Sequence, residues 1–117
     1  MPIHIRLNLP EARSEVTAML DTGADENFIL YRFLLEAGWE LTRNLEQPVK
    51  FVDGQVTTCF AILNLDTTVI DTKGREKNYP LWFYVINMTG FEAILGKTWL
   101  WDEDPMILTW RGQKWQF

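Results

Sequence analysis

Asp21-Thr22-Gly23-Ala24-Asp25 sets two acids, a small hydroxyl residue and a glycine at the end of the apolar run Ala18-Met19-Leu20. Strand chemistry stops at Leu20, and Asp21-Thr22-Gly23 forces a tight turn. Gly23 has no Cβ, so the backbone beside Asp21 is free to come close to another group. A carboxylate held this way can serve as general acid or base once a partner shifts its pKa. The same residues also describe an ordinary Asx turn between strands, and the stretch alone leaves both readings open. Other chemistries are poorly supplied. Cys59 has no His or Cys at ligand spacing, and His4 is the only histidine. That pattern argues against a zinc site and against a Cys/His nucleophile pair.

The elements that must position Asp21 are short and strand-like. Ile3, Ile5, Leu7 and Leu9 alternate with polar residues, including His4, which predicts a half-buried strand with a solvent-facing histidine. Pro10 to Ser14 is a turn, and Glu15 to Leu20 the returning strand that delivers Asp21. Asn27 to Leu30 is a short strand. Tyr31 to Ala37 follows as a helical piece stopped at Gly38. Asp53-Gly54, between Val49–Val52 and Gln55–Thr58, predicts a hairpin. A second hairpin turns at Asp71-Thr72-Lys73-Gly74, between Thr67–Asp71 and Tyr79–Ile86, with Pro80 expected at the start of its strand. Phe91 to Leu95 is an apolar strand closed by Gly96, and Lys97 to Asp102 a short helix broken by Asp104-Pro105. Met106–Trp110 and Lys114–Phe117 form a last hairpin. Frequent turns and two helical scraps predict a small all-β, barrel-like fold.

The 117 residues suffice for a single domain with one core. Hydrophobic content of 47% with six Trp places the chain among globular proteins. A net charge of −5, with no cluster of Lys and Arg, argues against a nucleic-acid or anionic-membrane surface. No apolar run approaches the ~20 residues of a membrane span. A single cysteine permits no intrachain disulfide and suits a reducing compartment.

Asp21-Thr22-Gly23-Ala24-Asp25 together with Ile94-Leu95-Gly96 resembles the retropepsin family of aspartic proteases, found in retroviruses and LTR retrotransposons. The tail Asp104-Pro105-Met106-Ile107-Leu108-Thr109-Trp110-Arg111-Gly112, closed by Phe117, is similar to gypsy-type retrotransposon proteases in particular. The resemblance spans about Ile3 to Phe117. It implies a closed all-β acid-protease barrel with a flap hairpin and one short C-terminal helix, carrying half of an active site. Asp21 is the only residue at an Asp-Thr/Ser-Gly position, so a working site needs a homodimer in which each chain contributes Asp21.

The resemblance also implies roles. Asp21 is the catalytic acid, Thr22 the hydroxyl that bonds across to the partner's loop, and Gly23 the backbone group facing substrate. Ala24 and Asp25 contact substrate main chain, with Asp25 held by a basic residue; a plain solvent-facing turn acid remains the alternative. Asp53 and Gly54 mark the flap that closes over substrate, against a surface hairpin with no gating role. Ile94 lines the groove or is simply core. Gly96 lets the helix approach the active-site loop, and Lys97 supports Asp25. No cofactor and no metal are implied. The implied substrate is an extended segment of a Gag–Pol-type polyprotein, in an intracellular, cytoplasmic setting that includes virus-like particles.

Four departures bear on that picture. Lys97 stands where many members carry arginine, keeping the charge but losing the planar fork that grips a carboxylate. The flap region has one glycine, Gly54; the segment from Gly38 to Pro48 is longer than in compact members; and the C-terminus is a full hairpin. Two functions follow: an aspartic endopeptidase, or a domesticated, inactive module that dimerises or binds peptides. Retention of Asp21-Thr22-Gly23 favours the enzyme.

Overall fold

The computed structural model describes residues 1–9, 13–39, 47–50, 54–87, 90–108 and 114–117. Its strands are β1 (Pro2–Asn8), β2 (Arg13–Leu20), β3 (Asn27–Leu30), β4 (Gln47–Lys50), β5 (Val56–Ile70), β6 (Glu76–Ile86), β7 (Ala93–Leu95), β8 (Met106–Leu108) and β9 (Lys114–Gln116). Two short helices interrupt them, α1 (Tyr31–Glu36) and α2 (Lys97–Glu103). The fold is all-β and closed. Six strands run in the order β1-β2-β7-β3-β6-β5, and a pairing of β1 with β5 seals the ring. β4 is added to the far end of β5 as an edge.

Alternation builds the barrel. In β1, Ile3, Ile5 and Leu7 point inward and are almost fully buried, while Pro2 and His4 are exposed. They join Val16, Ala18, Ile29, Phe83, Val85 and Leu95 in the main core. All four residues of β3 are buried, because it runs between β7 and β6. A smaller apolar cluster of Ala24, Phe28, Cys59, Ile86 and Ile94, flanked by Val49 and Tyr84, lies against the loop that follows β2.

The connection from β2 to β3 positions the site. These two strands are not neighbours: β7 lies between them, parallel to β2 and antiparallel to β3. Residues 21–26 must therefore cross the end of β7, where Gly96 emerges.

Elsewhere the strands run longer than the turn signals suggest. β5 continues unbroken from Val56 to Ile70, with one irregularity between Cys59 and Ala61. β6 begins at Glu76, so Pro80 sits within the strand, opposite Asp66, and not at its start. The other neighbour of β6, β3, pairs only with Phe83 to Ile86. A residue without an N–H is tolerated beside that open edge. Pro48 lies in the edge strand β4 for the same reason. Helix α1 ends at Glu36, and Gly38 follows at φ +85°. Helix α2 ends at Glu103 and is capped by Asp104 in the left-handed region, immediately before Pro105. Of the first hairpin turn, Asp53 lies outside the described residues, and Gly54 has φ +87°.

Candidate functional site

The loop from Asp21 to Glu26 is fixed from three directions. The Asp21 N–H donates to Leu95 O at 3.0 Å, the Lys97 N–H to Ala24 O at 2.8 Å, and the Ala24 N–H to Asp21 O at 3.2 Å. The first two tie the loop to both sides of Gly96. A Cβ at Gly96 would lie 2.3 Å from Glu26 O and 2.6 Å from Ala24 O, which no side chain can satisfy. Gly96 is therefore the residue over which the loop crosses, and its value lies in having no side chain.

Asn27 completes the support. Its side chain is buried in this otherwise apolar strand. Its amide oxygen accepts the Gly96 N–H at 2.9 Å, and its amide nitrogen donates to Trp82 O at 3.2 Å. One side chain thus joins β3, β6 and the start of α2. Its chemistry is not visible in the sequence, where Asn27 looks like the polar first residue of a strand.

The carboxylate itself sits on the surface. Asp21, Thr22 and Gly23 are exposed, and Ala24 turns inward to the small apolar cluster. The Gly23 N–H donates to Asp21 Oδ1 at 2.8 Å, and a Cβ on Gly23 would stand 3.2 Å from that oxygen. This is an Asx-type turn, and it also aims a hydrogen-bonded carboxylate outward from a rigid support. The two readings of Asp21-Thr22-Gly23 describe one geometry. Asp25 is 82% exposed and its Oδ1 lies 3.4 Å from the Lys97 ammonium, itself 36% exposed.

Ile94 lies in β7 with its side chain buried among Ala24, Phe28, Cys59 and Ile86, so in the single chain it is a core residue below the loop. Cys59 belongs to the same cluster; burial pushes its thiol above the usual range, against weaker opposition from the backbone groups of Ala61 and Val85. Gly54 lies beyond β5, on the hairpin arm that β4 and the start of β5 build.

A model of the PEG10/RTL1 protease domain matches residues 17–117, from the last residues before the Asp21 loop to the C-terminus. The chain belongs to that family. The PEG10/RTL1 protease domain is a retropepsin-like domain derived from a gypsy retrotransposon, so the resemblance carried by Asp21-Thr22-Gly23, Ile94-Leu95-Gly96 and the C-terminal tail is shown over most of the chain. No curated protein matches it. At the level of the family, the PEG10/RTL1 assignment makes this a retropepsin-like protease domain.

A second polar centre, unforeseen in the sequence, fastens the C-terminus of this PEG10/RTL1-type chain. The Asp71 carboxylate is buried at the β5–β6 turn. It accepts N–H groups from Lys73 (3.0 Å), Arg75 (2.8 Å) and Phe117 (3.4 Å), and the Arg75 Nε–H at 2.9 Å. Burial alone would raise its pKa; the Arg75 and Phe117 hydrogen bonds and the Arg75 charge outweigh burial and hold it below the usual carboxylate range. Thr72 next door donates its hydroxyl to Trp115 O at 2.7 Å and accepts the Trp115 N–H at 3.2 Å. Trp115 is buried edge-on against Trp99 of α2, ring centroids 5.5 Å apart.

Proposed function

We propose that this chain is one half of an aspartic endopeptidase, active as a homodimer in which two copies of Asp21 meet across a twofold axis. The observation that carries the reading is the outward, hydrogen-bonded carboxylate of Asp21 on a loop locked over Gly96. Two carboxylates about 3 Å apart cannot both ionise cheaply, so the pair shares one proton. The ionised member takes a proton from a bound water, whose oxygen attacks the scissile carbonyl carbon. The protonated member gives its proton to the carbonyl oxygen. Collapse of the resulting diol, with a proton passed to the amide nitrogen, breaks the C–N bond and leaves an acid and an amine. The chemistry needs no covalent intermediate.

Substrate would bind extended, as a strand with apolar side chains in alternate pockets, beneath the arm that ends at Gly54. A polyprotein of the Gag–Pol type, in a reducing intracellular compartment, is the substrate that best fits a retrotransposon-derived protease domain. A second reading, an inactive module that dimerises or binds peptides, is favoured only by the long, exposed contact between Lys97 and Asp25. The test is cleavage of an unfolded protein at about pH 5, on the acid side where a shared-proton dyad works, with wild type beside Asp21→Asn. The expected result is cleavage by wild type alone, at a specific activity that rises with enzyme concentration. Cleavage that survives Asp21→Asn would sink the enzyme reading, and peptide binding that is indifferent to Asp21, with no cleavage, would favour the module.

A further inference from the structure

The outward face of β5 and β6 carries an apolar patch that the barrel core does not use. Side chains two apart on a strand share a face, so Trp82 and Tyr84 of β6 stand beside Asn64 and Ile62, the residues they oppose on β5. Trp82 is 57% exposed and Ile62 39%, a diagonal pair across the two strands. Tyr84 is half-buried, its ring edge-on to Phe28 of β3 with centroids 5.7 Å apart. The patch is tied to the candidate site by three links. The Asn27 side chain donates to Trp82 O and accepts the Gly96 N–H, so one amide fixes both the Trp82 backbone and the crossing point of the Asp21 loop. Tyr84 packs on the small cluster that holds Ala24 and Ile94. Burial raises the pKa of the Tyr84 hydroxyl, and Glu26, the last residue of the loop, is close enough for its charge to raise it further.

We propose that Trp82, with Ile62 beside it, is an outlying substrate subsite that takes a large apolar side chain about four residues from the scissile bond. The proposal rests on the endopeptidase reading and deepens it by naming a specificity determinant outside the central groove. Reach selects the occupant. β2, β7, β3 and β6 are successive neighbours in the ring, so the β6 face lies three strand spacings, roughly 14 Å, from the strand that delivers Asp21. An extended peptide advances about 3.3 Å per residue, so a chain held for cutting at Asp21 passes Trp82 at roughly its fourth residue from the cut. Charge selects as well. Glu26, at the near edge of the patch, makes no ion pair among the described residues, and the chain carries −5. A second copy or an acidic segment is therefore repelled where a neutral or basic peptide is not. A tryptophan offers about 200 Å² of contact and has only two side-chain torsions to order on binding. Contact this far from the cut can still raise kcat/KM, because remote binding energy helps to orient the scissile bond.

The test digests a reduced, carboxymethylated protein with wild type, Trp82→Ala and Leu35→Ala, and reads the residues around every cut by mass spectrometry. Leu35, exposed on α1, controls for removing an exposed apolar side chain. Wild type and Leu35→Ala should cut preferentially where a large apolar side chain stands about four residues from the bond, and Trp82→Ala should lose that preference. A peptide made to a preferred site is then compared with the same peptide trimmed inside that position. The full peptide should have the higher kcat/KM by at least about 10-fold with wild type and by no more than about 2-fold with Trp82→Ala. The ratio is the readout, because a loss of folded enzyme lowers both values alike. The bond from Asn27 to Trp82 O, a backbone group, survives the substitution. Fluorescence anisotropy with the fluorescein-labelled carboxymethylated protein reads the same surface without catalysis, and Trp82→Ala should bind it at least about 10-fold more weakly than wild type. That weakening, with no cleavage by any of the chains, leaves the subsite standing and removes only the endopeptidase reading. Cleavage preferences or binding that Trp82→Ala leaves unchanged overturn the proposal, as does a wild type that neither cuts nor binds the unfolded chain.

Discussion

Asn27 and Gly96 form the smallest unit on which the site depends. Removing the Asn27 amide strands the buried Gly96 N–H and the part-buried Trp82 O without their partner. Asn27→Ala is accordingly expected to cost about 2–3 kcal/mol, read as a lower urea midpoint, with cleavage lost in parallel. Asn27→Asp keeps an acceptor for Gly96 but sets a buried carboxylate oxygen, charged at neutral pH, against Trp82 O, so it should cost at least as much as Asn27→Ala. Gly96→Ala should cost about 3 kcal/mol or more, because the clash at 2.3 Å is with backbone that cannot step aside. Lys97→Ala should cost the monomer under about 1 kcal/mol, since its partner Asp25 is 82% exposed and surface pairs are worth little. Gly23 and Gly96 were legible in the sequence because a missing side chain at a turn or strand end is a local signal. Asn27 was not: its partner lies 69 positions away, and nothing near it in the sequence marks an asparagine as buried.

Among the elements, β9 shows how a strand too short to stand alone is held. Among the described residues it pairs only with β8, and such a two-stranded ribbon is marginal without a surface to pack on. Trp115 supplies the packing and Asp71 the polar anchor. Asp71→Ala should cost about 3 kcal/mol, because several N–H donors lose a buried, charged acceptor. The half-exposed Arg75 contributes the smaller part of that figure. The pH dependence follows from the depressed pKa of Asp71 in the folded chain. Its stabilisation is whole above the unfolded value of about 3.9 and is lost as pH falls through the lower folded value. Wild type should therefore lose thermal stability more steeply than Asp71→Ala below about pH 4, and at about pH 5, where a shared-proton dyad works, the anchor is intact. Glu103 acts with the same sign: burial opposes its ionisation, but hydrogen bonds from Lys77 and Tyr79 and the Lys77 charge hold its pKa down. Most strands were legible from alternation and turn residues. The unbroken β5 and the internal Pro80 were not, because which strand edge stays open is decided by the ring and not by the local residues.

At the scale of the whole molecule, closure of the six-strand ring removes most sheet edges, and the proposed homodimer would bring two such barrels together. Motif order was enough to show the barrel in the sequence, but not the way residues 21–26 cross β7, which needs pairings between distant strands. Meeting has an electrostatic cost. Each copy carries −5 at neutral pH, with a sequence pI of about 4.8, so two copies repel at long range. Raising salt from about 0.01 M to about 1 M shortens the screening length from ~30 to ~3 Å. It removes the repulsion between distant charges more completely than any contact at short range. The dimer dissociation constant at pH 7 should therefore fall as salt rises. It should fall again at low salt as pH drops toward 5, where the net charge vanishes and the carboxylates of Asp71 and Glu103 still hold the fold. Sedimentation equilibrium across both series checks this. A dimer that loosens with salt would mean that short-range ion pairs between the copies outweigh the net charge.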